Sequence, residues 1–390
     1  MVRMIDLFAG IGGFHAALAP LGCEVVGFSE INMSAKQVYG ANFGAIRSLG
    51  DLTKISQLPE HDLLTGGVPC QSWSKAGINL GFEDPRGRLW EDTIRVIGQN
   101  KPKAFILENV RGLTEPRHHL AFEHILGQLA ACGYKVDWKV LSSSDFGVPQ
   151  KRERVYLVGI QDSHPVDFVW PEPIGSKMLF EVLPDLEPGQ SSVDMFAITD
   201  ARGGSNSIHS WDLQCLDERS KIVCEKLLSI RRSKKFGLKD GNPVPIDELT
   251  GDRELVEELI NKSVFRPYPD DRVDFCNSKL SSGVEGVYRV FFPSARAFST
   301  LTATGIPDYL CKVHVGSNPR TRFVQEIWPH RRSLLRRLTP ADALLLQGYP
   351  SDFKLHSNAD TSLRLLGNSV TVPVIKALGE ALFRTGIFEG

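Results

Sequence analysis

The 390-residue chain lacks several of the features that announce a function most directly. Its seven cysteines are odd in number and show no C-x-x-C spacing, which argues against a disulfide framework and against a zinc site. No apolar run approaches the ~18 residues that span a membrane, and the start, M-V-R-M-I-D, has no secretory core. A reducing, cytoplasmic setting without a membrane partner or a bound metal is therefore expected. Neither sign of charge is in excess: 45 Lys and Arg stand against 46 Asp and Glu, a formal net of −1. That balance excludes a global electrostatic pull on nucleic acid, so any such partner must be held by local clusters. Internal repeats and extended low-complexity tracts are absent.

Two basic clusters are present. Residues 226–239 carry Lys226, Arg231, Arg232, Lys234, Lys235 and Lys239 with no acid among them. Residues 320–337 carry Arg320, Arg322, Arg331, Arg332, Arg336 and Arg337 against Glu326. Either run could be a solvated helix face, and either could meet phosphates.

Strand and helix signals alternate up to about residue 160. Apolar strands are expected at 4–8, 24–28, 62–66, 104–108 and 154–160, with helical stretches such as 89–98 and 120–131 between them. This alternation points to an α/β fold with a doubly wound, mostly parallel sheet. After Trp170-Pro171 the chain becomes rich in Gly, Pro, Ser and charge, with short β-like pieces at Val287 to Phe292 and Leu310 to Val315. Helical signals return at T-P-A-D-A-L-L-L-Q, with Thr339 as N-cap and Pro340 at the first helical position. A last helix over Val374 to Arg384 puts Val374, Leu378 and Leu382 on one face and should dock on the first domain. The expected division is 1–170, 171–335, and a returning segment 336–390.

Three segments carry chemistry. In M-I-D-L-F-A-G-I-G-G-F, residues 4–14, a strand runs into Gly10, Gly12 and Gly13 and then into a helix, a turn that lets backbone N–H groups approach a ligand at a sheet edge. The second strand, V-V-G-F-S, ends at Glu30, where a carboxylate can accept from ribose hydroxyls. In G-G-V-P-C-Q-S-W-S, residues 66–74, a strand end presents the thiol of Cys70 to a crevice. In F-I-L-E-N-V, residues 105–110, the carboxylate of Glu108 ends another strand at the same edge. Taken singly, each has a plain structural reading: a close helix–strand contact, an inert small thiol, a strand-end cap.

Together, and in this order, they resemble the DNA (cytosine-5) methyltransferases. The motifs are Asp6-Leu7-Phe8, Glu30, Gly50-Asp51, Pro69-Cys70-Gln71, Glu108-Asn109-Val110, Gln150-Lys151-Arg152-Glu153-Arg154 and Gly367-Asn368-Ser369, covering about residues 1–160 and 335–385. One departure is Ile31, where many members carry an aromatic or acidic residue beside the cofactor adenine.

The resemblance implies a Rossmann-like S-adenosylmethionine-dependent methyltransferase sheet with a second, smaller, irregular β-containing target-recognition domain over 171–335. It implies that Phe8 and Ile31 flank the adenine, Gly10, Gly12 and Gly13 admit the methionine part, and Glu30 holds the ribose. Asp51 would accept from the adenine amino group, with Asn368 and Ser369 closing the carboxylate end. A thiolate of Cys70 would add to carbon 6 of cytosine, Glu108 would serve ring nitrogen 3, and Arg152 and Arg154 would hold the base carbonyl. Gln71, Ser74, Asn109 and Thr300 would contact the substrate. Residues 71–90 would form a lid, with Lys75, Arg86 and Arg88 meeting phosphates.

A cytosine in a duplex must be flipped out to reach Cys70. The implied partner is double-stranded DNA met by a monomer in the bacterial cytoplasm, with a restriction endonuclease of the same specificity acting separately. A dinucleotide oxidoreductase would share the glycine turn and Glu30 but not the later motifs. A tRNA cytosine-5 methyltransferase shares nearly all of them, and a non-catalytic relative would be expected to lose Cys70 or Glu108.

Overall fold

The structure is a computed structural model that describes residues 1–69, 89–197, 216–237, 242–262, 264–275, 287, 289–303, 308–317 and 322–389. Cys70, Gln71, Ser74 and most of the expected lid lie outside the described residues, as do Arg320 and Lys239.

Six strands form the main sheet: β1 (Val2–Leu7), β2 (Cys23–Ser29), β3 (Leu63–Gly67), β4 (Ala104–Val110), β5 (Tyr134–Ser142) and β6 (Glu153–Gln161), in the order β2-β1-β3-β4-β6-β5. The first four are mutually parallel, and β6 runs antiparallel to both β4 and β5. The near-continuous apolar character of β4 follows from its central place, since all of its residues except Val110 are buried. Strand β5, at the edge, is mostly exposed or half-buried, and its residues alternate apolar and polar from Tyr134 to Val140.

Helices α1 (Gly13–Leu18), α2 (Met33–Phe43), α3 (Leu89–Asn100) and α4 (His119–Ala131) connect these strands. Helix α3 buries Trp90, Thr93, Ile94, Val96 and Ile97, the stripe a 3.6-residue period predicts, and Phe122, Ile125 and Leu129 of α4 join the same core. Each large apolar side chain buried there contributes about 1.5–3 kcal/mol. Helix α2 starts where the Asn32 side chain accepts from Ala35 N at 3.1 Å.

The chain divides into two compact units: Met1–Met178, Arg296–Ile306 and Thr339–Gly390 form one, and Leu179–Ala295 with Pro307–Leu338 form the other. The second unit holds two small sheets. One pairs β7 (Met195–Ala197), β11 (Arg289–Phe291), β12 (Tyr309–Cys311) and β13 (Leu335–Arg337), in the order β13-β12-β11-β7. The other pairs β8 (Val244–Pro245), β9 (Phe265–Tyr268) and β10 (Arg272–Phe275), in the order β8-β10-β9. Helices α5 (Glu218–Arg232) and α6 (Arg253–Asn261) share a core with the latter sheet through Val223, Leu227, Leu255, Leu259, Phe265 and Phe275.

Much of the basic clustering is consumed inside this unit. Arg231 lies 3.3 Å from the fully buried Asp274, Lys235 pairs with Glu248 at 2.8 Å, and Arg322 pairs with Glu326 at 3.0 Å. Arg336 grips Asp185 through two bonds of 2.6 Å. Arg331 stacks on Trp328, 4.9 Å from its ring centroid, and donates to its carbonyl. Arg332 is exposed and makes no contact of this kind among the described residues.

The chain then re-enters the first unit. Helix α7 (Pro340–Leu346) begins at a capping box in which Thr339 and Asp342 satisfy each other's backbone N–H groups. Helix α8 (Ala359–Asn368) follows, and α9 (Val372–Phe383) packs on α1, with Val374, Leu378 and Leu382 buried and Gly379 against Leu18. It starts two residues earlier than the sequence suggests, because Pro373 sits in its first turn rather than ahead of it. Among the described residues no helix is long and apolar enough to cross a membrane, and no cluster of His, Cys, Asp and Glu could hold a metal ion.

Candidate active site

The glycine turn after β1 is held to the end of β2. Phe8, Gly10 and Gly12 adopt positive φ of 51, 56 and 91°, which reverses the chain at the C-terminal edge of the sheet. Ala9 N donates to Ser29 O at 2.9 Å, and Gly10 N donates to Glu30 Oε2 at 2.8 Å. Glu30 Oε1 accepts from Ile31 N and Asn32 N at 2.8 and 2.7 Å. Three backbone donors thus fix this carboxylate, and Oε2 keeps an acceptor direction for a ligand hydroxyl.

Beside it, Ser29 Oγ donates to Gly50 O at 2.8 Å, which brings Asp51 to the same edge. Asp51 Oδ1 accepts from Thr53 Oγ1 and Thr53 N at 2.9 and 3.0 Å. The bond from the Thr53 hydroxyl is the main cause of a carboxyl held below its usual range. Ile31 is 73% exposed, and Phe8 is half-buried.

The C-terminal segment closes over this turn. A Cβ on Gly13 would fall 2.5 Å from Val370 Cγ2, 2.9 Å from the Tyr349 hydroxyl oxygen and 3.0 Å from Ser369 Oγ, so only glycine admits this approach. Gly367 does the same on the other side, where a Cβ would lie 2.4 Å from the Thr302 carbonyl carbon. Asn368, between Gly367 and Ser369, is exposed.

The other half of the site lies at the ends of β3 and β4. Gly67 is in register with Glu108 across the parallel pair, and Val68 N donates to Glu108 O at 3.2 Å. Asn109 Nδ2 donates to Val68 O at 3.2 Å, while Asn109 Oδ1 accepts from Val110 N at 2.8 Å. Asn109 therefore clamps the strand end that leads through Pro69 to Cys70. Glu108 is buried, with Oε1 3.0 Å from Arg154 Nε, yet among the described residues this oxygen receives no aligned hydrogen bond. The contact with Arg154 is a charge pair. Register pairs Glu108 with Tyr156 and Val110 with Arg154, which puts Glu108, Arg154 and Tyr156 on one face.

Arg152 has another task. Its Nη1 donates to Leu301 O at 3.0 Å and to Gly367 O at 3.2 Å, and its Nη2 to Ser369 O at 2.7 Å. Gln150 acts likewise, accepting from Leu301 N at 3.2 Å and donating to Leu346 O at 2.9 Å. Thr300 donates its hydroxyl to Lys151 O. The structure thus gathers Glu108, Asn109 and Arg154 at one strand end, and Phe8, Gly10, Glu30, Asp51 and Ser369 around the glycine turn. Arg152 and Thr300 are engaged with backbone carbonyls.

Two groups had no role assigned from the sequence: Asp6, quoted only as part of a motif, and Tyr349. Asp6 is fully buried: Oδ1 accepts from Thr65 Oγ1 at 3.0 Å, and Oδ2 has no partner among the described residues. Burial pushes its carboxyl up to about 8, against the Thr65 bond and with some help from the charge of Glu30. Tyr349 hydrogen-bonds Ser369 Oγ at 2.5 Å. The signal for Tyr349 was an aromatic residue between Gly348 and Pro350, which on its own reads only as a turn.

The profile of the family described as C-5 cytosine-specific DNA methylase matches residues 2–384. Type II methyltransferase M.HgiBI of Herpetosiphon aurantiacus is 41% identical, with 99% of this chain and 98% of that protein aligned. Type II methyltransferase M.NlaIV of Neisseria lactamica is 32% identical over 98% of this chain and 99% of its own. Among solved structures, the Dnmt2 methyltransferase of S. pombe has a TM-score of 0.56 at 19% identity, covering 98% of this chain and 99% of its own. The Entamoeba histolytica methyltransferase EhMeth has a TM-score of 0.58 at 16% identity, covering 98% of each. These two likenesses speak to the fold, a Rossmann-like sheet with a smaller β-containing region. The match along nearly the whole chain settles the family: this protein belongs to the C-5 cytosine-specific DNA methylases and is a DNA cytosine-5 methyltransferase.

Proposed function

We propose that the chain methylates carbon 5 of a flipped-out cytosine within a specific duplex sequence, with Cys70 as covalent nucleophile and S-adenosylmethionine as donor. The observation that carries this reading is the Glu108–Arg154 pair, 3.0 Å apart, at the end of the strand next to the one that leads into Pro69-Cys70. The residues round the glycine turn fit the cofactor. Gly13 is kept bare beneath two hydroxyls, and Glu30 is held by three N–H groups with an acceptor direction to spare. In this reading Phe8 and Ile31 flank the adenine, Asp51 accepts from its amino group, and Glu30 holds the ribose. Gly10, Gly12 and Gly13 make room for the methionine part, with Asn368 and Ser369 at its carboxylate. Bound there, S-adenosylmethionine supplies an electrophilic methyl group.

The thiolate of Cys70 adds to carbon 6, which raises electron density at carbon 5 and nitrogen 3; loss of the carbon-5 proton and departure of the thiolate restore the ring. Glu108 holds the proton at nitrogen 3. Arg154 keeps that carboxyl in place and faces the base carbonyl. Asn109 fixes the Val68 carbonyl and with it the approach of Cys70. Arg152 positions Ser369 rather than the base, and Thr300 anchors its segment to the start of β6. Gln71 and Ser74 meet the nucleotide as the lid closes, and the second unit reads the sequence. The type II methyltransferase relatives support duplex DNA over transfer RNA as substrate, and protection of a site that a separate endonuclease would cut.

Bisulfite sequencing of DNA from cells making the protein should show one methylated sequence context. DNA carrying 5-fluorocytosine should become covalently attached to the wild type and not to Cys70→Ala, because fluorine cannot leave as the proton does. Turnover retained in Cys70→Ser would remove the nucleophile assignment.

A further inference from the structure

Ser369 has one hydroxyl hydrogen, and three features of its surroundings compete for it or fix it. Tyr349 lies 2.5 Å from Ser369 Oγ, Val370 O is a long 3.3 Å away, and Gly13 of the turn packs so close that a Cβ on it would lie 3.0 Å from Ser369 Oγ. The Tyr349 phenol cannot wander. Its backbone N–H donates to Leu344 O at 3.2 Å, its ring packs on Phe353 with centroids 4.6 Å apart, and the residue is 3% exposed. Burial also pushes its ionisation well above the usual range for a phenol, so its proton stays on and is available to donate.

We infer that Tyr349 is a positioning residue for the cofactor's carboxylate end: its phenol donates to Ser369 Oγ, which turns the serine's own hydrogen out toward a bound carboxylate. The two hydroxyls then act in series. Each O–H donates to the next acceptor, and the last bond of the chain is charge-assisted and therefore the strong one. Without Tyr349, Ser369 Oγ is left short of a donor, and its hydrogen is no longer directed toward the turn. This rests on the reading that Ser369 faces the carboxylate.

Calorimetric binding to the full chain tests it with two ligands, S-adenosylhomocysteine and 5′-methylthioadenosine, the second of which has no amino-acid part. Tyr349→Phe removes only the hydroxyl and keeps the ring packing. It should raise the Kd for S-adenosylhomocysteine about 10-fold, as loss of a hydrogen-bond chain to a charged group would, and leave the Kd for 5′-methylthioadenosine within about 2-fold. In a Ser369→Ala background the same substitution should change neither value. Equal weakening of both ligands would mean a merely structural tyrosine and would overturn the proposal, as would no weakening of either. If the wild type binds neither ligand, the cofactor reading itself fails, which is a distinct result.

Discussion

Replacing Arg152 by methionine should cost stability first and chemistry only as a consequence. The side chain is 3% exposed, and its guanidinium serves the carbonyls of Leu301, Gly367 and Ser369, from two stretches of chain distant from it in sequence. The acceptor of Gly367 belongs to the end of α8, where helical carbonyls lack intrahelical donors. Methionine fills most of the volume and satisfies none of the three. A buried acceptor left without a donor costs about 1–3 kcal/mol, and three would cost several; relief from burying a guanidinium offsets part of that. A net loss of about 3 kcal/mol is expected, a large share of the ~5–15 kcal/mol that holds a typical domain.

Because the chain has two units, one global midpoint would mix them. Hydrogen exchange resolved by peptide is the better assay. Protection should fall selectively over residues 298–302 and 366–372, with S-adenosylhomocysteine binding weakened in parallel. Arg154→Met makes the control. That residue approaches Glu108 rather than a set of carbonyls, so it should lose methyl transfer by about 100-fold, as befits a group serving acid–base catalysis, while protection over the same segments is kept. Protection in Arg152→Met within about 0.5 kcal/mol of wild type, or the two variants exchanging behaviours, would refute this division of labour.

What could be read from the sequence was local. The glycine turn, Glu30 just after β2 and Glu108 near the end of β4 were legible because each follows directly on an apolar run, which fixes roughly where its side chain must appear. Helices α3 and α4 were legible from a period carried by residues such as Trp90, Ile94 and Ile97. Strand β5 was missed although Y-K-V-D-W-K-V alternates apolar and polar residues from Tyr134 to Val140, the period of a strand with one covered face. The reversed direction of β6 was hidden, since periodicity records faces and not direction. Arg152 and Arg154 look alike in sequence, two residues apart on either side of the start of β6. Their roles are set by what the rest of the chain brings to them: residues 301, 367 and 369 for one, Glu108 for the other. The basic clusters show the same limit, since Asp274 and Asp185, which take up Arg231 and Arg336, lie far away in sequence.

Three further outcomes can be measured. Glu108→Gln keeps the shape of the carboxyl but loses its proton transfer, so the single-turnover rate should fall by roughly 100-fold or more; an unchanged rate with chemistry limiting would return Glu108 to a structural role. Arg332→Ala should weaken binding to every DNA sequence alike and reduce the salt slope by about one unit, whereas a changed target preference at constant slope would make it a base reader. Arg331→Ala should in addition loosen its own unit, because that side chain covers Trp328. The last concerns Asp6, whose carboxyl burial raises to about 8 in the folded chain, whereas an unfolded aspartate titrates near 4. Between those values the folded state holds a proton that the unfolded state has released, so stability must fall as pH rises, with a slope of about 1.4 kcal/mol per pH unit for one proton. Below about pH 4 both states are protonated and the contribution is fully present; above about pH 8 both are ionised and it is lost. Denaturant melts of the cofactor-free protein should therefore show the stability of wild type relative to Asp6→Asn dropping across this window and levelling beyond it. A difference independent of pH would mean that Asp6 is already ionised when folded, and that its unpartnered Oδ2 is compensated by a group the described residues do not include.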